Sequence, residues 1–271
     1  MQNEIISSKD NPHIKQYRRL AAAKKERLAE GLFVLEGLRL VQDAIAEHAA
    51  LQTLLLTEAA MTRYGDRFAQ VDLKEAHTLV ISNELGAKIA ETTQPQGVFA
   101  ICRIPAADDF TAAVRPDGHY LILNALQDPG NLGMILRTAD AMGIDGVLLC
   151  GCCDVFSPKV IRATMGSVLR VPLWYGLEIL PVLEQLRQVG VRSYAAVLDP
   201  DAKELRSCDF SGGSAVVIGN EGNGLPDAVA DACDVRMTIR MHGHVNSLNA
   251  AMATGIILWE LQGACTQEGA E

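Results

Sequence analysis

The chain has 271 residues, 49% of them hydrophobic and 21% charged, which suits two packed domains better than one of average size. No window reaches the eighteen or so apolar residues of a membrane span, and Met1-Gln2-Asn3-Glu4 lacks the apolar core of a secretory signal, so a cytoplasmic protein is expected. The net charge of −9 argues against indiscriminate nucleic-acid binding.

The charge is uneven. Lys9, Lys15, Arg18, Arg19, Lys24, Lys25 and Arg27 stand close together against only Asp10 and Glu26. Such a run is ordinarily a solvated helix face, and phosphate binding is the alternative. Asn11-Pro12 marks a helix start, and the helix is expected over about 13–29 with Ile14, Tyr17, Leu20 and Ala21 on its inner face. Strands are expected at 33–35, 51–56, 78–81 and 98–102, with an amphipathic helix carrying Leu38, Leu40, Val41 and Ile45. Together these make a small α/β domain over residues 1–104.

Residues 105–118 lack apolar periodicity and are read as a linker. The second domain, 119–271, has strands expected at 120–123, 146–149, 193–197 and 215–218. Their continuous apolar character, with helices between them, indicates a parallel sheet covered on both faces. Cys150, Cys152 and Cys153 belong to an odd total of seven cysteines with no second CxxC pair, so they are read as reduced, partly buried thiols. His242 and His244 lack carboxylate partners in the sequence and are read as loop residues; no metal is expected.

Three segments of the second domain end strands with glycine-rich, polar sequence, where open α/β sheets bind ligands. The first is Asn124-Ala125-Leu126-Gln127-Asp128-Pro129-Gly130-Asn131-Leu132-Gly133, leading into a helix with Leu132, Ile135, Leu136, Ala139 and Met142 on one face and Arg137 off it. The second is Ile218-Gly219-Asn220-Glu221-Gly222-Asn223-Gly224-Leu225. The third runs from Ile239 through His242-Gly243-His244-Val245-Asn246-Ser247-Leu248-Asn249 into an apolar helix. There is no GxxxxGK[ST] and no GxGxxG after a strand, which excludes the P-loop and dinucleotide fingerprints. The residues alone indicate a ligand site in an α/β domain.

In order and spacing, Asp128-Pro129-Gly130-Asn131-Leu132-Gly133 with Arg137, Gly219-Asn220-Glu221-Gly222 and Ser247-Leu248-Asn249 resemble the three motifs of the SpoU (TrmH-like) 2′-O-ribose RNA methyltransferases of the SPOUT superfamily. Phe33-Val34-Leu35-Glu36-Gly37 is more loosely similar to the RNA substrate-binding domain that many members carry. The chain departs from the family pattern at Arg240, Asn246 and Ala250-Ala251, which bears on substrate and loop detail rather than on the reaction.

The resemblance implies an α/β fold whose C-terminal parallel-sheet domain is a trefoil knot, a topology that composition and periodicity do not reveal. It implies S-adenosylmethionine as cofactor, held by backbone at Gly219, Ile239 and Leu248. Its catalytic set would be Arg137, Asn131, Glu221, Ser247 and Asn249, with Glu221 orienting Arg137 or the motif loop. It implies RNA, ribosomal RNA in particular, as substrate, and a homodimer formed through the C-terminal domain, with no membrane partner. A non-catalytic RNA-binding assembly factor with the same fold is the rival reading. A methyltransferase acting on a base or a protein is a second rival, although the knotted families that methylate bases lack the Asn131 and Arg137 pairing.

Overall fold

The computed structural model describes residues 5–69, 76–106 and 109–267, so Ala107 and Asp108 of the expected linker lie outside the described residues. The chain divides into two compact units: unit 1 comprises 1–106 and 156–169, and unit 2 comprises 107–155 and 170–271. The sequence reading assigns 156–169 to the C-terminal domain, whereas these residues pack with unit 1.

Unit 1 contains α1 (Pro12–Ala22), α2 (Lys24–Glu30), β1 (Leu32–Glu36), α3 (Leu38–Ala46), β2 (Leu51–Thr57), α4 (Glu58–Ala69), β3 (His77–Ile81), α5 (Asn83–Ile89) and β4 (Val98–Arg103). The strands form a mixed sheet in the order β1-β4-β2-β3, parallel only between β2 and β3. Ile14, Tyr17 and Leu20 of α1 and Leu85 and Ile89 of α5 bury against Val34, Leu55 and Phe99, with the Tyr17 and Phe99 rings edge-on at 5.5 Å. Alternation along β1 sends Phe33 to the opposite face, where it meets Phe156 at 5.3 Å. Glu36 accepts hydrogen bonds from the backbone N–H groups of Glu91 (2.8 Å) and Thr92 (3.2 Å), so this motif carboxylate fastens the turn after α5.

The single helix expected over 13–29 is two helices. Ala23 is extended, with φ −132° and ψ 126°. Arg27, only 4% exposed, turns back so that its Nη1 donates to the carbonyls of Leu20 and Ala21, which the end of α1 leaves without helical partners. One residue of the basic run is therefore a buried cap.

Unit 2 contains α6 (Phe110–Ala113), β5 (His119–Asn124), α7 (Pro129–Ala141) and β6 (Gly146–Cys150). Helix α8 (Pro158–Thr164) then belongs to unit 1. Unit 2 resumes with β7 (Leu173–Leu177), α9 (Ile179–Val189), β8 (Arg192–Ala196), β9 (Lys203–Glu204), β10 (Ser214–Ile218), α10 (Asp227–Ala232), β11 (Val235–Thr238) and α11 (Ala250–Gln267). All seven strands are parallel, in the order β7-β6-β5-β10-β8-β11-β9. Val182, Leu183 and Leu186 of α9 and Val229 of α10 cover one face over Tyr120, Ile122, Leu148 and Val217. Helices α7 and α11 pack on each other. No helix among the described residues is long and apolar enough to cross a membrane.

Replacing Arg27 by Ala should lower the unfolding free energy by roughly 1–3 kcal/mol, because one buried and one half-buried carbonyl lose their donor. Lys24→Ala, on the exposed side of the same helix, should change it by no more than about 0.5 kcal/mol. Urea titration compares them; equal values would remove the capping role.

Candidate active site

The loops after β5, β10 and β11 leave the carboxyl ends of strands of one sheet, and hydrogen bonds tie them together. Asp128 caps α7, its Oδ1 accepting from the Asn131 N–H at 2.8 Å. A Cβ at Gly130 would stand 2.9 Å from that oxygen, so glycine keeps the cap open. The Glu221 carboxylate accepts the N–H groups of Gln127 (3.1 Å) and Asp128 (2.9 Å) and the Asn131 amide (3.3 Å). Asn131 Oδ1 accepts from Asn249 Nδ2 at 2.9 Å, while Asn249 Oδ1 caps α11 through the N–H groups of Ala251 (2.9 Å) and Met252 (3.3 Å). Asn131, Glu221 and Asn249 are thus one chain of hydrogen bonds joining three loops.

Partial burial pushes the Glu221 carboxyl up, but the amides of Asp128 and Gln127 outweigh it and hold the group below its ordinary range. Of the two roles raised for Glu221, the contacts correspond to anchoring the loop; it makes no contact with Arg137 among the described residues. Arg137 lies exposed on α7, about 9 Å along the axis from Asn131 at 1.5 Å per residue. Among the described residues it makes no hydrogen bond, ion pair or ring contact. The other arginines of unit 2 are engaged: Arg115, Arg170, Arg187, Arg206, Arg236 and Arg240 in ion pairs and Arg192 over the Tyr194 ring.

Gly219, Ile239 and Leu248 line one cleft of ≈ 530 Å³, with Glu221 and Ser247 also in its wall. This is an ordinary size for a small-ligand site. Leu205, Ile218, Leu225, Met237 and Ile257 give it apolar walls, and Asn220, Asn223, Asp227 and Thr238 among others line it with polar groups in about equal measure. Asp199 adds a carboxylate, 3.5 Å from Arg236. Such a mixture fits a nucleoside with an apolar-backed base and polar edges. Gly219 has a structural role as well: a Cβ there would lie 2.3 Å from the carbonyl carbon of Gly224, so any side chain would displace the loop itself.

The sequence reading passes over three features. The 197–200 segment after β8 walls the cleft; its signal is the strand end followed by Asp199-Pro200. Asn220 folds its own loop, accepting from Gly222 (3.0 Å) and Asn223 (3.1 Å) and donating to the Ala125 carbonyl (2.8 Å). Asp128 before Pro129 is a legible helix cap. Burial pushes the Cys150 and Cys152 thiols up to about 12, which leaves little thiolate at neutral pH. Among the described residues no group of three or more His, Cys, Asp or Glu could hold a metal ion.

Residues 118–259 match the SpoU rRNA Methylase family and residues 11–100 the MRM3-like substrate binding domain. The chain belongs to the SpoU rRNA methylase family. Its similarity to 23S rRNA (guanosine(2553)-2′-O)-methyltransferase RlmP of Bacillus subtilis is 31% identity over 260 residues, 95% of this chain and 99% of that one. It is also 29% identical over 258 residues to the 23S rRNA (uridine(2479)-2′-O)-methyltransferase of Streptomyces viridochromogenes, covering 92% and 89% of the two chains. Among solved structures, the AdoMet-bound rRNA methyltransferase of Sinorhizobium meliloti superposes with a TM-score of 0.87 at 31% identity, covering 96% of this chain and 97% of that one. The range matched by the SpoU family spans all three tied loops.

Because the folded-state pKa of Glu221 is depressed, its stabilising contribution is fully present above the unfolded value, about 4.3, and is lost as pH falls through the folded one. Glu221→Gln should therefore melt below wild type at neutral pH, and the gap should close in acid. Melting curves across pH check this, and a gap independent of pH would show that the charge is not the anchor.

Proposed function

We propose that this SpoU-family protein transfers the methyl group of S-adenosylmethionine to a ribose 2′-hydroxyl in ribosomal RNA. Arg137 carries the site assignment: a cation with no protein partner among the described residues, on a helix whose first turn is tied to Glu221 in the cleft wall. The two named 23S rRNA relatives act on a guanosine and on a uridine. Their common target is the ribose oxygen, which supports the same reaction here and leaves the base to other contacts.

When bound, S-adenosylmethionine supplies a methyl group already activated on a sulfonium. Backbone at Gly219, Ile239 and Leu248 would hold it. Transfer of that methyl to the ribose oxygen would release the neutral thioether, with the hydroxyl proton passing to solvent. The chain's task is alignment and assistance to that proton. A guanidinium remains protonated, so Arg137 is assigned to the neighbouring phosphate, placing its oxygen where it accepts the hydroxyl's hydrogen bond. Asn131 and Asn249 bond to each other and are positioning residues, as is Glu221. The exposed Ser247 hydroxyl on the cleft wall is left for the ribose.

Residues 1–104 serve as the RNA-binding domain in this reading and 119–271 as the catalytic one, acting in the cytoplasm where ribosomal RNA is exposed. The segment after β11 is read as the threading element of a trefoil knot. In support, β11 lies two strands beyond β10, yet α11 returns to pack on α7, the helix after β5. The protein acts as a homodimer: Met252, Ile256 and Trp259 lie at i, i+4 and i+7 on α11 and are 56%, 38% and 68% exposed, an apolar stripe that a second copy would cover.

Calorimetry should show saturable S-adenosylmethionine binding, and labelled methyl should pass to ribosomal RNA from cells lacking the gene. Arg137→Ala should keep cofactor affinity and lose at least ~100-fold in transfer. Arg137→Lys should also lose most activity, since lysine lacks the planar fork. Near-wild-type activity for Ala would refute the site, and for Lys the geometric role. For the dimer, light scattering should give twice the chain mass for wild type and the single chain mass for Trp259→Glu; a wild-type monomer would end that reading.

A further inference from the structure

We infer that a groove between α1 and α5 of unit 1 seats phosphates of the RNA substrate. This rests on the methyltransferase reading above and adds the surface that captures the strand.

The groove, of ≈ 610 Å³, has Lys15, Arg18 and Arg19 from α1 and Lys88 from α5 on its walls, over a floor that includes Ala22 and Ile89. A small apolar floor under a basic rim admits a sugar–phosphate backbone closely while supplying charge where the phosphates lie. The acidic groups around it are already engaged. Asp10 pairs with Lys15 at 2.9 Å, Glu30 with Arg19 at 2.8 Å, Glu26 lies 3.9 Å from Arg19, and Glu91 at the groove's end pairs with Arg162 at 2.8 Å. Arg18 and Lys88, one from each helix, are exposed and carry no ion pair or hydrogen bond among the described residues. The rest of the basic run is not in this groove: Arg27 is buried, and Lys24 and Lys25 do not line it.

The distribution of charge points the same way. Residues 1–106 and 156–169 hold 15 Lys and Arg against 13 Asp and Glu, whereas the rest of the chain holds 9 against 20. The deficit of a −9 protein thus lies wholly in unit 2, and a polyanion has its favourable surface on unit 1. Within unit 1, the groove is where two helices bring unpaired cations to facing walls.

The test uses the full-length protein, deproteinised ribosomal RNA from cells lacking the gene, and a salt series. Arg18→Ala with Lys88→Ala should raise Kd and KM for RNA roughly tenfold and flatten the log–log salt slope by about 1.5, as expected for two lost phosphate contacts. Cofactor affinity and kcat at saturating RNA should be unchanged. The charge-matched control is Arg63→Ala with Arg67→Ala, two α4 arginines that lie over Tyr64 at 5.2 and 5.6 Å; it should move Kd and slope far less. If the two double variants behaved alike while the wild type methylated the RNA, attraction would be diffuse and the groove assignment overturned. If the wild type bound this RNA through Arg18 and Lys88 but transferred no methyl, the groove would stand and the methyltransferase reading would fall.

Discussion

The carboxylate of Glu221 receives backbone N–H groups from the loop after β5 while its own loop follows β10, so adjacent strands of the sheet are clamped where their ends would otherwise splay. Loop N–H groups need acceptors, and a charged acceptor makes the stronger bond. From this clamp Asn131 and Asn249 extend the tie to the start of α11. Ala125, at φ 58°, sits in the left-handed region at a cost of about 1–2 kcal/mol. Its N–H donates to the Cys150 carbonyl at 2.8 Å and its own carbonyl accepts from Asn220, so the conformation is enforced from two sides. The cleft walls from the loops after β10 and β11, and the helix bearing Arg137, take their places from this tie.

The sheet of unit 2 divides cleanly into what periodicity reveals and what it does not. The four strands expected from apolar runs are β5, β6, β8 and β10, which stand side by side as β6-β5-β10-β8. β5, β6 and β10 are buried almost throughout, and a strand covered on both faces must be apolar throughout. The strands without an assigned range, β7, β9 and β11, lie outside this block, although the third glycine-rich segment implies a strand end where β11 stands. Lys203–Glu204 is too short for any pattern, Leu173–Leu177 includes an exposed glycine, and Val235–Thr238 carries Arg236. Their partners come from far along the chain, and no local signal reports them. In unit 1 the four strands were legible but their directions were not, because parallel or antiparallel pairing depends on where each connection crosses.

In the site, residue types were legible and contacts were not. Asn131 and Glu221 are 90 residues apart, and Asn131 and Asn249 are 118 apart, so no spacing rule joins them. The resemblance to SpoU enzymes singled out these three loops, and the structure shows the hydrogen bonds that tie them to one another. Gly219 is fixed by the proximity of Gly224 and Leu225 before any ligand enters, and Asn131 and Asn249 already use amide groups on each other. Asn220 looks from sequence like one more polar loop residue, yet its side chain closes the turn on which Glu221 is presented.

Arginine shows most clearly why composition stops short of function. Arg27, in a basic run, is consumed internally by carbonyls that a broken helix leaves free. Arg18, nine residues earlier, meets no acid and stays available to solvent. Arg137 belongs to the acidic unit, where every other described arginine has found a partner, and Asp140 stands three residues on along the same helix, the spacing of an ion pair. That pairing does not form. Arg170 takes the Asp140 carboxylate instead, with Nε at 2.9 Å and Nη2 at 2.7 Å from Oδ2. A carboxylate held by two donors is a poor partner for a third cation, so Arg170 removes the helix neighbour at ion-pair spacing and Arg137 is left without a protein partner among the described residues.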